Sequence, residues 1–240
     1  LWAHPDLLEW ATELANVVVQ DPHPAVRAAS FDLAYAIGKH DLDLALNLMV
    51  LAYEATDDSI LRIQPGPHLI SNLWRREAEL TAVFGRALAS SDEETVELAA
   101  YWITVGSLLE KIYTELASKA ARNGAAARKG VVRALVDLAR HPGDHYVACL
   151  DQLANCLDDE DEGVLDAADR IFRWDSFLNS DQAPGFAELF ARSAAFRGDP
   201  SSLLHQLSEF EGSLIPYANA IEASVTQISG PLASATQSIA

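Results

Sequence analysis

An acidic turn, an aliphatic residue, a basic residue and small residues return along this chain at a nearly constant distance. The fullest copy is Asp21-Pro22-His23-Pro24-Ala25-Val26-Arg27-Ala28-Ala29, and shorter ones begin at Asp57, Ser91, Ala126, Asp159 and Asp199. Arg27, Arg62 and Glu97 hold the same place in three successive copies and stand 35 residues apart. Arg128, Leu165 and His205 hold it later, at steps of 31, 37 and 40. The turns fall near residues 21, 56, 91, 123, 159 and 199. A period of this size is a strong constraint. Each unit is too small to bury its own apolar face and gains a core only by stacking on its neighbours.

What fills the period is helical. Leu7, Leu8, Trp10, Ala11, Leu14, Ala15 and Val18 recur at three- and four-residue spacing, which places them on one helix face. The pattern returns in Val26 to Ile37, Leu42 to Ala52, Leu80 to Leu88, Val96 to Val105 and Leu108 to Ala117. Further on it marks Val131 to Leu138, Val147 to Leu157, Val164 to Phe172, Phe186 to Ala194, Leu203 to Phe210 and Ile215 to Ile228. No segment alternates like a strand. Breaks are expected at Asp21 to Pro24, Gln64 to Pro67, Asn123-Gly124, His141 to Asp144, Gln182 to Gly185 and Gly230-Pro231. The fold class is therefore all-α. Acidic or hydroxyl residues at the turns are expected to cap the following helix, the aliphatic residue to enter the core, and the alanines to admit a neighbouring helix closely.

Asp21, Pro22, Val26, Arg27 and Ala29 resemble the Asp-Pro-x-x-x-Val-Arg-x-x-Ala turn of the HEAT-repeat family. That resemblance implies an α-solenoid of antiparallel helix pairs, with about six to seven repeats in a single domain over residues 1–240. Its Asp–Arg ladder would be incomplete, since the arginine is lost at Glu97, Leu165 and His205. A narrower likeness runs from Asp158 to Phe210, through Ala167-Ala168-Asp169-Arg170-Ile171-Phe172, Phe186-Ala187-Glu188-Leu189-Phe190 and Leu203-Leu204-His205-Gln206-Leu207. Together with Pro24 to Ala52, it is similar to the C-terminal helical-repeat region of large bacterial STAND-type ATPases, the class that includes antiviral NACHT-like sensors. In that family the ATPase lies upstream, and the repeats recognise a trigger or hold the protein inactive. The chain begins Leu1-Trp2-Ala3-His4 and contains no Gly-x-x-x-x-Gly-Lys-Ser/Thr, so it reads as part of a longer protein.

Charge narrows the partners. The chain has 35 acidic and 17 basic side chains, a formal charge of −18. Nucleic acid and anionic membranes need a basic surface, so both are disfavoured. No apolar run approaches the roughly 20 residues that span a bilayer. Two cysteines make no disulfide framework, which fits a reducing, cytoplasmic setting.

Groups that might carry chemistry read better as structure. His141, His145, Cys149 and Cys156 are the one cluster of metal-ligand types, but the cysteines sit among Val147, Leu150 and Leu153 and lack close pairing. Asp158-Asp159-Glu160-Asp161-Glu162 lacks calcium-loop spacing and stands where a helix starts. No catalytic motif is present, and no metal or cofactor is expected.

The charge is uneven, however. Lys111, Lys119, Arg122, Arg128, Lys129, Arg133 and Arg140 are opposed only by Glu115 and Asp137, a local +5 against −23 elsewhere. Arg122, Arg128, Lys129 and Arg133 are therefore candidates for binding an acidic protein or an acidic part of the parent chain. Arg75 and Arg76 follow Trp74 as a second candidate patch, Trp and Arg being enriched at interface centres. Trp74 has an alternative role as a core anchor. The expected function is a non-catalytic protein-binding scaffold. A HEAT-like DNA-repair glycosylase, which the acidic charge opposes, and a structural or oligomerisation spacer are the alternatives.

Overall fold

The structure is a computed structural model that describes residues 7–55, 58–62, 64–141, 143–174 and 177–237. The expectations at Leu1 to His4, at the turn residues Asp57 and Pro142, and at the last three residues lie outside these. Every regular element among the described residues is helical. Close contacts group the chain into two compact units, one ending at Val131 and the other beginning at Val132.

The first unit contains α1 (Leu8–Val18), α2 (Pro24–Ala28), α3 (Ser30–Ile37), α4 (Leu42–Glu54), α5 (Gly66–Leu73), α6 (Glu77–Ala87), α7 (Glu93–Leu109) and α8 (Thr114–Ala120), and the start of α9 (Ala125–Leu138). A 3₁₀ turn, Asp58–Leu61, precedes α5. Contacts skip along the chain: α1 packs on α3, α3 on α5 and α5 on α7, while α4 packs on α6. Neighbours in sequence also pair, α3 with α4, α6 with α7 and α7 with α8.

In the second unit stand α10 (Tyr146–Ala154), α11 (Glu162–Asp169), α12 (Ala183–Arg192), α13 (Ala194–Gly198), α14 (Ser201–Glu209) and α15 (Ala218–Gln237). Here α12 packs on α10, α13 and α15, and α11 packs on α13. The core centres on Phe172, Phe177, Phe186, Phe190 and Phe196, none more than 4% exposed. Phe172 meets Phe190 edge-on at 4.6 Å between ring centroids and Phe177 at 5.5 Å.

Local chemistry explains most boundaries. Asp41, Asp92 and Asp161 accept hydrogen bonds from the backbone N–H of Leu44, Thr95 and Val164, capping α4, α7 and α11. The acidic run at Asp158 to Glu162 is thus a helix start, with Asp158 also accepting from Ala194 N at 2.6 Å. The Thr95 hydroxyl and N–H, with Arg62 beside them, hold the Asp92 carboxyl below its usual value. Pro24 begins α2, but the cap there is His23 Nδ1, with Asp21, two residues earlier, accepting from His23 N at 2.7 Å.

Several expectations need correction. Val26 does not enter the core; it is 38% exposed, as is Leu204 at 36%, whereas Leu61, Val96 and Val164 at the same place of their copies are buried. Arg27 instead turns back onto the carbonyls of Asp21 and Pro22, at 2.8 and 2.9 Å. The run Leu108 to Ala117 is not one helix. Lys111 and Tyr113 adopt φ of 61° and 56°, left-handed backbone that ends α7 and starts α8. The buried Tyr113 side chain compensates: its hydroxyl donates to the Trp74 carbonyl at 2.7 Å and its ring meets Phe84 edge-on at 5.2 Å. Finally, α15 continues through Gly230-Pro231.

A set of polar contacts joins residues 30 to 39 positions apart. In the first unit, Arg62 reaches Asp92 and Glu94 at 2.9 and 3.0 Å, Arg76 reaches Asp43, Arg86 the Tyr53 carbonyl, and Asn123 the Leu88 carbonyl. In the second, Tyr146 bonds Ser180, Ser202 bonds Asp169, Asn219 bonds Glu188 and Tyr217 bonds the Leu178 carbonyl. Where the arginine is replaced by Glu97, the rung reverses in sign: Lys129 pairs with the Glu97 carboxylate at 3.0 Å.

Asp169 is the most buried carboxylate described, 3% exposed. Ser202 Oγ–H donates to one oxygen at 2.5 Å, while Oδ1 has no partner. Burial, opposed by the Ser202 bond and Arg173 and reinforced by Asp199 and Asp166, raises its pKa above 3.8. A raised carboxylate pKa means that the folded state holds the proton more tightly than the unfolded one. Its contribution to stability is therefore present below pH 3.8 and lost as pH rises through the folded value. Asp169→Asn is accordingly expected to raise the urea midpoint at pH 7, with an advantage over wild type that shrinks on acidification. An advantage independent of pH would contradict this.

Candidate functional site

The six basic residues singled out by sequence have different fates. Arg75 lies over the Trp74 ring at 4.3 Å and pairs with Glu110 at 2.9 Å. Trp74 itself is 6% exposed and stacks with Trp102 at 6.3 Å, so it anchors the core. Arg76 pairs with Asp43. Lys129 is occupied by Glu97, whose side chain is only 12% exposed. Arg128 donates to the Asn123 carbonyl at 2.9 Å. Arg133 is exposed on α9 in the second unit. These contacts are internal, and they tie turns and helices to one another.

Arg122 differs, because it borders an open groove of about 820 Å³ between the end of α6 and α8. Gly85, Leu88 and Ala89 come from the α6 side, and Glu115, Leu116, Ser118 and Lys119 from α8. Each wall has a local cause. The left-handed turn at Lys111 to Tyr113 sets the start of α8, and the Asn123 amide holds its far end by donating to the Leu88 carbonyl at 3.1 Å. Gly85 supplies depth, since a Cβ there would meet only Leu116 Cδ2, at 3.9 Å. Leu88 and Leu116 make an apolar floor, while Lys119 and Arg122 are exposed and form no ion pair among the described residues.

Lys119 belongs to the same basic island as Arg122. Its three-residue spacing from Arg122, which places both on one side of the helix end, was the available signal. Conversely, the pairing of Lys129 with Glu97 was hidden by their separation of 32 residues. The histidine–cysteine cluster is spread out: His141 is exposed, His145 Nε2 lies 3.2 Å from the Leu138 carbonyl, and Cys149 is buried. Among the described residues no group of three or more His, Cys, Asp or Glu is placed to hold a metal ion, and no helix is long and apolar enough to cross a membrane. Comparison with protein-family profiles, curated proteins and solved structures finds no match for this chain.

Proposed function

We propose that the chain is a stacked helical-repeat scaffold, HEAT-like in its turns, that acts by binding another protein segment and carries no catalytic centre. The observation that supports this reading most is the set of polar contacts one repeat apart, at separations of 30 to 39 residues. Contacts of α3 with α5, α5 with α7 and α4 with α6 point the same way, because successive helix pairs stacked in two rows would make those neighbours. Such a stack offers a long surface whose side chains are free to vary without disturbing the core. In the fuller form of the proposal, the chain is the recognition or regulatory region of a bacterial STAND-type ATPase in the cytoplasm, and its partner is an upstream part of that protein or an acidic trigger. Binding then works by favouring one arrangement of the parent, through contacts made in that arrangement only.

The experiment is co-purification of the chain with the protein segment encoded immediately upstream, scored with and without nucleotide. The proposal expects a Walker-type phosphate loop in that segment and a complex whose yield depends on nucleotide. An upstream segment without the loop, or none that binds, counts against the ATPase reading.

A further inference from the structure

We propose that the groove between α6 and α8 takes a peptide segment bearing a carboxylate beside an apolar side chain. This rests on the scaffold reading above and names the partner chemistry of one site within it. The molecule contains about two carboxylates for every cation, and its basic side chains are mostly engaged: Arg62, Arg75, Arg76 and Lys129 all hold carboxylates. Against that excess, Lys119 and Arg122 line the groove with no ion pair among the described residues, and Glu115, the one carboxylate in the same lining, leaves the groove with a charge of +1. Their place at the end of α8 is favourable to the helix dipole but leaves both charged heads open to a ligand. Over most of this −18 surface an acidic partner is repelled, so a pair of unengaged cations fixes where one can dock. The floor supplies the second requirement. Leu88 and Leu116 face the space that Gly85 leaves unfilled, which suits an aliphatic or aromatic side chain. An inorganic anion would use the two cations and waste the floor; a peptide uses both.

The test is selection of a random dodecapeptide library displayed on phage against the chain. Enriched peptides are then titrated by fluorescence anisotropy on the wild type, on Gly85→Leu, and on the Lys119→Glu/Arg122→Glu double variant. Gly85→Leu fills the floor; the double variant changes only exposed charge. Circular dichroism confirms that both are folded. The expected result is enrichment of Asp or Glu next to Leu, Ile or Phe, with Kd raised about tenfold or more by either change. Loss of binding when the peptide carboxylates are amidated would support the charge assignment. Peptides that bind all three proteins equally overturn this groove and leave the scaffold reading standing on another face. Enrichment of no peptide at all counts against both.

Discussion

Phe172→Ala is expected to cost about 3–5 kcal/mol, the range for removing a fully buried phenylalanine. Phe172 is fully buried, and its ring contacts Phe177, Phe186 and Phe190. It sits in the 3₁₀ turn that follows α11, where it gathers side chains from the next turn and from α12. Truncation would leave a cavity bounded by rings that cannot all move inward, since Phe177 and Phe186 are themselves edge-on at 5.7 Å. Only partial collapse is available, so the cost lies near the upper part of the range for large-to-small changes. Urea denaturation followed by far-ultraviolet circular dichroism would measure it. A midpoint within experimental error of wild type would show that the five phenylalanines do not form the core of the second unit.

The second large effect depends on sign. Gly130→Ala is expected to destabilise by about 1–3 kcal/mol, the usual cost of overpacking. Gly85→Ala is expected to stabilise by about 0.5–1 kcal/mol, through the ordinary preference of helices for alanine. Both glycines are helical, and the difference is what a methyl group would touch. At Gly130 on α9 it would strike the Glu97 carbonyl oxygen and stand 2.9 Å from Ala100 Cβ on α7, so a backbone has to move. Moving it would also disturb the Lys129–Glu97 ion pair one residue away. At Gly85 on α6 the methyl group meets one flexible leucine at ordinary contact distance. Thermal melts of the two single variants decide the matter. Equal shifts of the same sign would mean that α7 and α9 do not approach as closely as described.

These cases show where the sequence was informative. Proline, glycine and capping aspartates are local signals, and the helices beginning at Pro24, Leu42, Glu93, Ala125, Glu162 and Ala183 start where such residues place them. The all-helical class followed from periodicity, which needs no knowledge of partners. Other features depended on residues distant in sequence. The turn at Lys111 to Tyr113 contains neither glycine nor proline; its left-handed backbone is held by Trp74 and Phe84, more than 25 residues earlier. Helix α5 begins at the break expected at Gln64 to Pro67, but no periodic run marks its body, because eight residues carrying only Leu69, Ile70 and Leu73 as large buried side chains give too short a stripe to register. Val26 matched its motif yet stays exposed, since pattern records residue type and not the neighbour that would cover it.

The same division applies to the groove. Arg122 was visible as part of a basic cluster, but charge counting cannot separate an engaged cation from an open one. Arg75, Arg76 and Lys129 belong to the first kind and Arg122 to the second, and carboxylates 32 to 35 residues away decide it. Depth at Gly85 was equally silent, because an isolated glycine in a helix has no distinctive pattern.

Repeat stacking in the first unit is the claim on which the rest depends, and side-chain nuclear Overhauser contacts test it most directly. Stacking predicts that long-range contacts cluster near one repeat, including Trp74 with Trp102, Phe84 with Tyr113, and Tyr35 with His68, whose ring centroids lie 5.2 to 6.3 Å apart. It also predicts no contacts between α1 and α8, because stacking would place several helices between them. Strong contacts between α1 and α8, with those three ring pairs missing, would contradict it.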